Sequence, residues 1–151
     1  MTTEFFRPEI GVFNDSLARC LRTERLFHRF LELFLASSAE VRQKFRDTDF
    51  NRQRRMLQNS FYMLMEYVGL SSPESQAYLE RIALEHGKDH RDIPPHLYDL
   101  WLESLLRAVQ ECDPRYSPEV EAAWRYMMDA GISFLKSRYD GATGAPAGAR
   151  A

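Results

Sequence analysis

Few side chains in this sequence can do chemistry near neutral pH: four histidines and two cysteines. Cys20 and Cys112 stand alone, without the close pairing of a zinc site or a disulfide framework. Three of the histidines have ordinary surroundings. His28 sits one position off the apolar stripe Phe27/Phe30/Leu31, and His96 follows Pro94-Pro95 in the first turn of a helix. His90 falls in the charged stretch Lys88-Asp89-His90-Arg91-Asp92. His86 differs, because it ends the apolar face Leu79/Ile82/Ala83 and is followed at once by Gly87, a helix stop. Two readings of His86 are open: a hydrogen-bonded residue at the edge of the core, or a metal ligand. His90 lies four positions further on, but Gly87 separates the two, so no second protein ligand is evident. A metal held by His86 alone needs a cofactor that brings the remaining donors, as the four pyrrole nitrogens of a haem do.

The elements that must position these groups are helical. Phe27, Phe30, Leu31 and Phe34 recur at i, i+3, i+4 and i+7, one stripe of an amphipathic helix. Gln53, Met56, Leu57, Phe61, Leu64, Met65 and Val68 repeat the pattern. Ser72-Pro73-Glu74 reads as an N-cap, a first-turn proline and an acid at the positive helix end, leading into the helix that carries His86. Pro94-Pro95 opens the next helix, and Ser117-Pro118-Glu119 the last. Short helices are expected around 12–21 and 38–45, giving six or seven in all. No Asn-Gly or Asp-Gly joins alternating apolar strands, so the fold class is all-α. Stripes of this kind build a core whether or not a ligand is present.

The chain has 151 residues, enough for one domain. Lys plus Arg is 20 and Asp plus Glu is 22, a net charge of −2 that argues against a nucleic-acid partner. No apolar run approaches the about 18 residues that cross a bilayer, and the N-terminus lacks a basic-then-apolar leader pattern. No membrane partner and a cytoplasmic location are therefore expected. The domain is expected over 12–139, with an N-terminal extension at 1–11 and a small-residue tail at 140–151 containing Gly141, Gly144 and Gly148.

In their order and spacing, segments 30–34, 40–45, 53–57, 79–86, 93–101 and 122–124 resemble a single-domain bacterial globin, over roughly residues 12–139. A Phe, a Gln, a Leu four residues on and a His about thirty further recur in that family, and here they are Phe45, Gln53, Leu57 and His86. The resemblance implies a globin fold of six to eight helices around haem b. His86 is then the proximal iron ligand, a neutral imidazole using Nε2, with Nδ1–H held by an acceptor such as the carbonyl of Ile82. Phe45 corresponds to the ring that stacks on the haem. Gln53 and Leu57, one turn apart, form the distal pair, the amide donating to bound dioxygen and the leucine excluding water. Phe30 stands where many bacterial globins carry a tyrosine, and it has no hydroxyl. His90 and Arg91 are candidates for the haem propionates in the resemblance, while the favoured reading of the residues themselves is a solvated loop. Ile93 belongs to the same pocket. Tyr98 matches a tyrosine of the proximal network in flavohaemoglobins, whose glutamate partner is replaced here by Tyr139.

With Gln53 as sole donor, one hydrogen bond of about 1 kcal/mol net is expected on the ligand, changing oxygen affinity about several-fold. The reading this favours is reversible binding of dioxygen, carbon monoxide and nitric oxide, for oxygen transport or gas handling. Nitric oxide dioxygenase or peroxidase-like activity would need a separate reductase or external reductant. A gas sensor would need a signalling partner or a homodimer face. A haem-free helical interaction module is the remaining alternative.

Overall fold

Proline and a short capping side chain set most of the helix starts. The computed structural model describes residues 7–140, and among these the chain forms seven helices and no strand. They are α1 (Pro8–Leu21), α2 (Leu26–Ser37), α3 (Ala39–Lys44), α4 (Phe50–Leu70), α5 (Pro73–His86), α6 (Pro95–Cys112) and α7 (Pro118–Ser137). Helices α1, α5, α6 and α7 all begin with proline, whose missing N–H costs nothing at a first-turn position. Ser38, Asp49, Ser72 and Ser117 cap α3, α4, α5 and α7 by accepting from backbone N–H groups of the first turn. Helix α1 starts earlier than its apolar pattern suggests. Pro8 and Glu9 carry it back through part of the expected 1–11 extension, and its N-cap, Arg7, makes no side-chain cap that a sequence reading could find. Residues 1–6 and the expected tail from 141 onward lie outside the described residues.

Helix α1 lies along α7 and α2 along α6, while α4 and α5 both pack across α7. Three fully buried rings join these layers at one end. Trp124 meets Phe13 at 4.6 Å and Phe61 at 5.5 Å between centroids, both edge to face. Gly131 lets α7 approach α4 closely, since a Cβ there would sit 2.8 Å from Leu64 Cδ2. No helix among the described residues is long and apolar enough to cross a membrane.

One buried carboxylate pins α1 to the corner between α6 and α7. The Asp113 side chain is fully inaccessible, and it accepts from Arg19 Nε at 2.6 Å and from Ser16 Oγ at 2.6 Å. Ser16 in turn accepts from Trp124 Nε1 at 2.9 Å. Burial alone would raise the Asp113 pKa. The hydrogen bonds from Arg19, Ser16 and the Arg115 backbone, with the Arg19 charge, outweigh it and hold the carboxyl below its ordinary value. Cys20 and Cys112 are both buried and unpaired, and burial pushes the Cys20 thiol up to about 12, so it packs as an inert apolar group.

Asp113→Ala should lower the unfolding free energy by about 3 kcal/mol, because it strands Arg19 and Ser16. The sign with pH follows from the depressed value. The contribution is complete above the unfolded pKa of about 3.9 and is lost as pH falls through the folded one. Chemical denaturation of both proteins at pH 7 and in acid measures it; equal stability at pH 7 would contradict the pinning role.

Candidate functional site

The turn after α5 decides what its last residue can do. Gly87 ends the helix where expected, but in an extended conformation (φ −67°), and the left-handed residue of this loop is Asp92 (φ 52°). The loop folds back on the carbonyl end of α5. Arg91 N–H donates to Glu85 O at 3.0 Å, Asp92 N–H to Gly87 O at 2.8 Å and Ile93 N–H to His86 O at 3.0 Å. Terminal carbonyls that would otherwise be orphaned are thus paired within the loop. Lys44, at the end of α3, ties this loop to α3 through Asp92 at 3.6 Å and the Arg91 carbonyl at 3.3 Å. Tyr139 also donates its hydroxyl to Asp92.

These contacts frame a cavity of ≈ 590 Å³, within the usual range for a bound cofactor. Helix α2 contributes Phe30, α4 contributes Gln53 and Leu57, and Phe45 adds a ring just after α3. His86 from α5, Ile93 from the loop and Tyr98 from α6 complete the set expected from sequence. His90 is the exception. The fold-back turns it outward, with its N–H bonded to Gly87 O at 3.0 Å, so it is exposed and does not line the cavity. Arg91, one residue on, does line it, as does Arg52.

Along one wall the aromatic rings interlock. Phe45 meets Phe34 at 5.3 Å, Phe34 stacks on Phe30 at 5.6 Å, and Phe30 meets Trp101 edge to face at 5.6 Å. Phe34 and Trp101 carry no role in the sequence reading. Their helical spacing gives a signal: Phe34 is four residues after Phe30, and Trp101 three after Tyr98. Gln53, in the first turn of α4, is half-buried, and its side-chain amide has no hydrogen-bond partner among the described residues.

His86 is half-buried, and its Nδ1 shares a hydrogen bond with the Tyr98 hydroxyl at 3.2 Å. The acceptor expected one turn back, the Ile82 carbonyl, is not its partner. Tyr98 packs its ring against the imidazole, with centroids 6.4 Å apart and planes at 25°, and so brings its hydroxyl to Nδ1 instead. Burial, with the Arg91 charge adding to it, pushes the imidazole down to about 4, so His86 is neutral at physiological pH. Its Nε2 has no partner among the described residues, and no cluster of three or more His, Cys, Asp or Glu that could hold a metal occurs among them. The other histidines engage acids: His28 approaches Glu32 at 3.3 Å, and His96 meets Glu40 at 2.7 Å. A neutral imidazole with one nitrogen engaged and the other free, on the wall of a largely apolar cavity, suits a single axial bond to a metal macrocycle.

A scan against protein-family models finds no match, and a search of curated proteins finds none either. Among solved structures, the chain matches a protein of Pseudomonas aeruginosa PAO1 described as structurally highly homologous to a human haemoglobin. The two are 36% identical with a TM-score of 0.82, and the match covers 88% of this chain and 98% of the other. The chain belongs to the globin family and has the globin fold.

In the haem-free chain, His86 should titrate near pH 4 rather than near the ordinary value of about 6.5. Between those values the unfolded chain binds more protons than the folded one, so stability should fall as pH drops across that interval. Nuclear magnetic resonance of the imidazole protons reads the midpoint directly; a value near 6.5 would mean that the ring is solvated.

Proposed function

We propose that this globin binds haem b in the ≈ 590 Å³ cavity, with His86 as the protein ligand to iron, and reversibly binds dioxygen, carbon monoxide and nitric oxide there. The observation that carries this reading is the neutral His86 imidazole, with Nδ1 engaged by Tyr98 and Nε2 free at the cavity wall. The residues present fit the group. The walls are mainly apolar and aromatic, the axial donor is uncharged, and Arg52 and Arg91 line the cavity as cations able to pair with two carboxylates. Ferrous haem, when bound, supplies the affinity for diatomic gases.

The chain's own residues do the rest. For Nε2 to offer its lone pair, Nδ1 must carry the proton and donate it to the Tyr98 oxygen, which fixes both tautomer and ring orientation. Because Tyr98 is a neutral phenol, which burial makes still harder to ionise, it holds the proton donor without pulling the proton away. Phe45 offers its ring to a face of the macrocycle. Phe30 and Leu57, both buried, exclude water from the space for a gas. Gln53 supplies an amide N–H to a polar ligand. Arg91 takes the carboxylate-pairing role for which the resemblance also offered His90.

His86→Ala should cost more than about tenfold in haem retention, since even the outer partners of a metal ligand are worth that much. Haem content of the purified variant checks this, and normal content would remove the proposal. Gln53→Leu should speed dioxygen release about fivefold, the worth of one hydrogen bond. Carbon monoxide, the less polar ligand, should respond less. Stopped-flow release rates test the pair, and equal responses would show that Gln53 is not a donor.

A further inference from the structure

An open hollow between α4 and α5, beside the cavity, gathers arginines that the fold leaves unpaired. On α4, Arg52, Arg55 and Asn59 follow one another at i, i+3 and i+7, and on α5 Tyr78, Arg81 and Glu85 do the same. One stripe of each helix thus lines the hollow. Its volume is ≈ 460 Å³, within the range of small-molecule sites. Arg55 and Arg81 line this hollow alone, whereas Arg52 stands at its border with the larger cavity. Among the described residues no ion pair reaches any of the three guanidiniums. Other arginines are well paired: Arg29 with Glu111, Arg125 with Glu103 and Arg138 with Glu80, each through two hydrogen bonds. The last of these engages the acid beside Arg81 in sequence. Glu85 is the one carboxylate among the residues lining the hollow, so positive charge is in excess there although the chain as a whole carries −2.

Arg81 is already held in place. Its guanidinium carbon lies 5.2 Å from the centroid of the buried Tyr78 ring, a cation–π contact, so less side-chain freedom remains to be lost on binding. Like charges that converge without a counter-ion repel one another, and an anion placed among them relieves that repulsion. A guanidinium presents a fork of N–H donors that matches the oxygens of a phosphate. A phosphate ester carries a charge of about −1.5 to −2 at neutral pH and three terminal acceptor oxygens, enough to engage more than one guanidinium. A carboxylate, with one charge and two oxygens, satisfies a single fork. We propose that this hollow binds the phosphate group of a small molecule, held by Arg55 and Arg81 with Arg52 at the border. The site stands apart from the haem reading, because Arg55 and Arg81 do not line the cavity.

Isothermal titration calorimetry of the full-length chain at low ionic strength, haem-free and haem-loaded, tests this with inorganic phosphate and with pyrophosphate. One saturable site per chain is expected in both forms. Arg55→Gln and Arg81→Gln should each weaken it about tenfold, the worth of one charge-assisted hydrogen bond. Arg54→Gln removes the same charge from an exposed position of α4 that does not line the hollow, and it should change binding less than about twofold. Equal affinity for the two probes identifies free phosphate as the ligand, and tighter binding of pyrophosphate identifies a phosphate joined to a further group. No saturable binding, or equal losses in the Arg54 and Arg55 variants, would overturn the site. Binding that disappears on haem loading would also overturn it, because the arginines would then belong to the haem carboxylates. If the chain takes up no haem, the function proposed above falls and the haem-free titration still decides this inference.

Discussion

A neutral imidazole held still beside an apolar cavity is the constraint on which this site depends. Charging His86 where it sits is unfavourable, because burial removes the water that would solvate the cation and Arg91 repels it. Neutrality leaves one nitrogen a donor and the other an acceptor, and in the proposed haem-bound state the Tyr98 hydroxyl would hold the proton on Nδ1. The helix end is held too. Backbone N–H groups of Arg91, Asp92 and Ile93 return to the carbonyls of Glu85, Gly87 and His86, so the last turn of α5 does not fray at the residue that matters.

The rest of the fold keeps that arrangement rigid from a distance. At the α1–α7 end, Asp113 gathers Arg19, Ser16 and, through Ser16, Trp124 into one polar knot inside the core. Phe13, Phe61 and Trp124 pack above it without polar demands of their own apart from the indole N–H that Ser16 accepts. None of Asp113, Arg19, Ser16 and Trp124 lines the cavity, so this polar knot leaves its walls mainly apolar. The close approach of α7 to α4 at Gly131 matters for the same reason: Leu64, Gly131 and Ile132 close the α7 side of the cavity with small or aliphatic groups.

Most helix starts, and the apolar stripes that face the cavity, were legible in the sequence, because both follow from local rules. Proline at the first helical position and serine or aspartate before it mark helix starts, and the 3.6-residue period places Phe30, Leu57 and His86 on inward faces. What was not legible depended on long-range geometry. The partner of His86 Nδ1 comes from another helix, twelve residues on, and a rule for helical hydrogen bonding points instead to Ile82. His90 and Arg91 are adjacent in a charged stretch, and only the fold-back of the loop turns one outward and the other to the cavity. The resemblance to globins supplied the pairing of His86 with a macrocycle, which spacing alone left open.

The most direct test of the account is a titration of haem into the purified haem-free protein, followed by visible spectra of the ferrous form before and after carbon monoxide. The account predicts one haem bound per chain and a strong absorption band that shifts sharply with the gas, as a single axial histidine and an open opposite face require. A protein that leaves the haem spectrum unchanged, or whose bound haem ignores carbon monoxide, would contradict it.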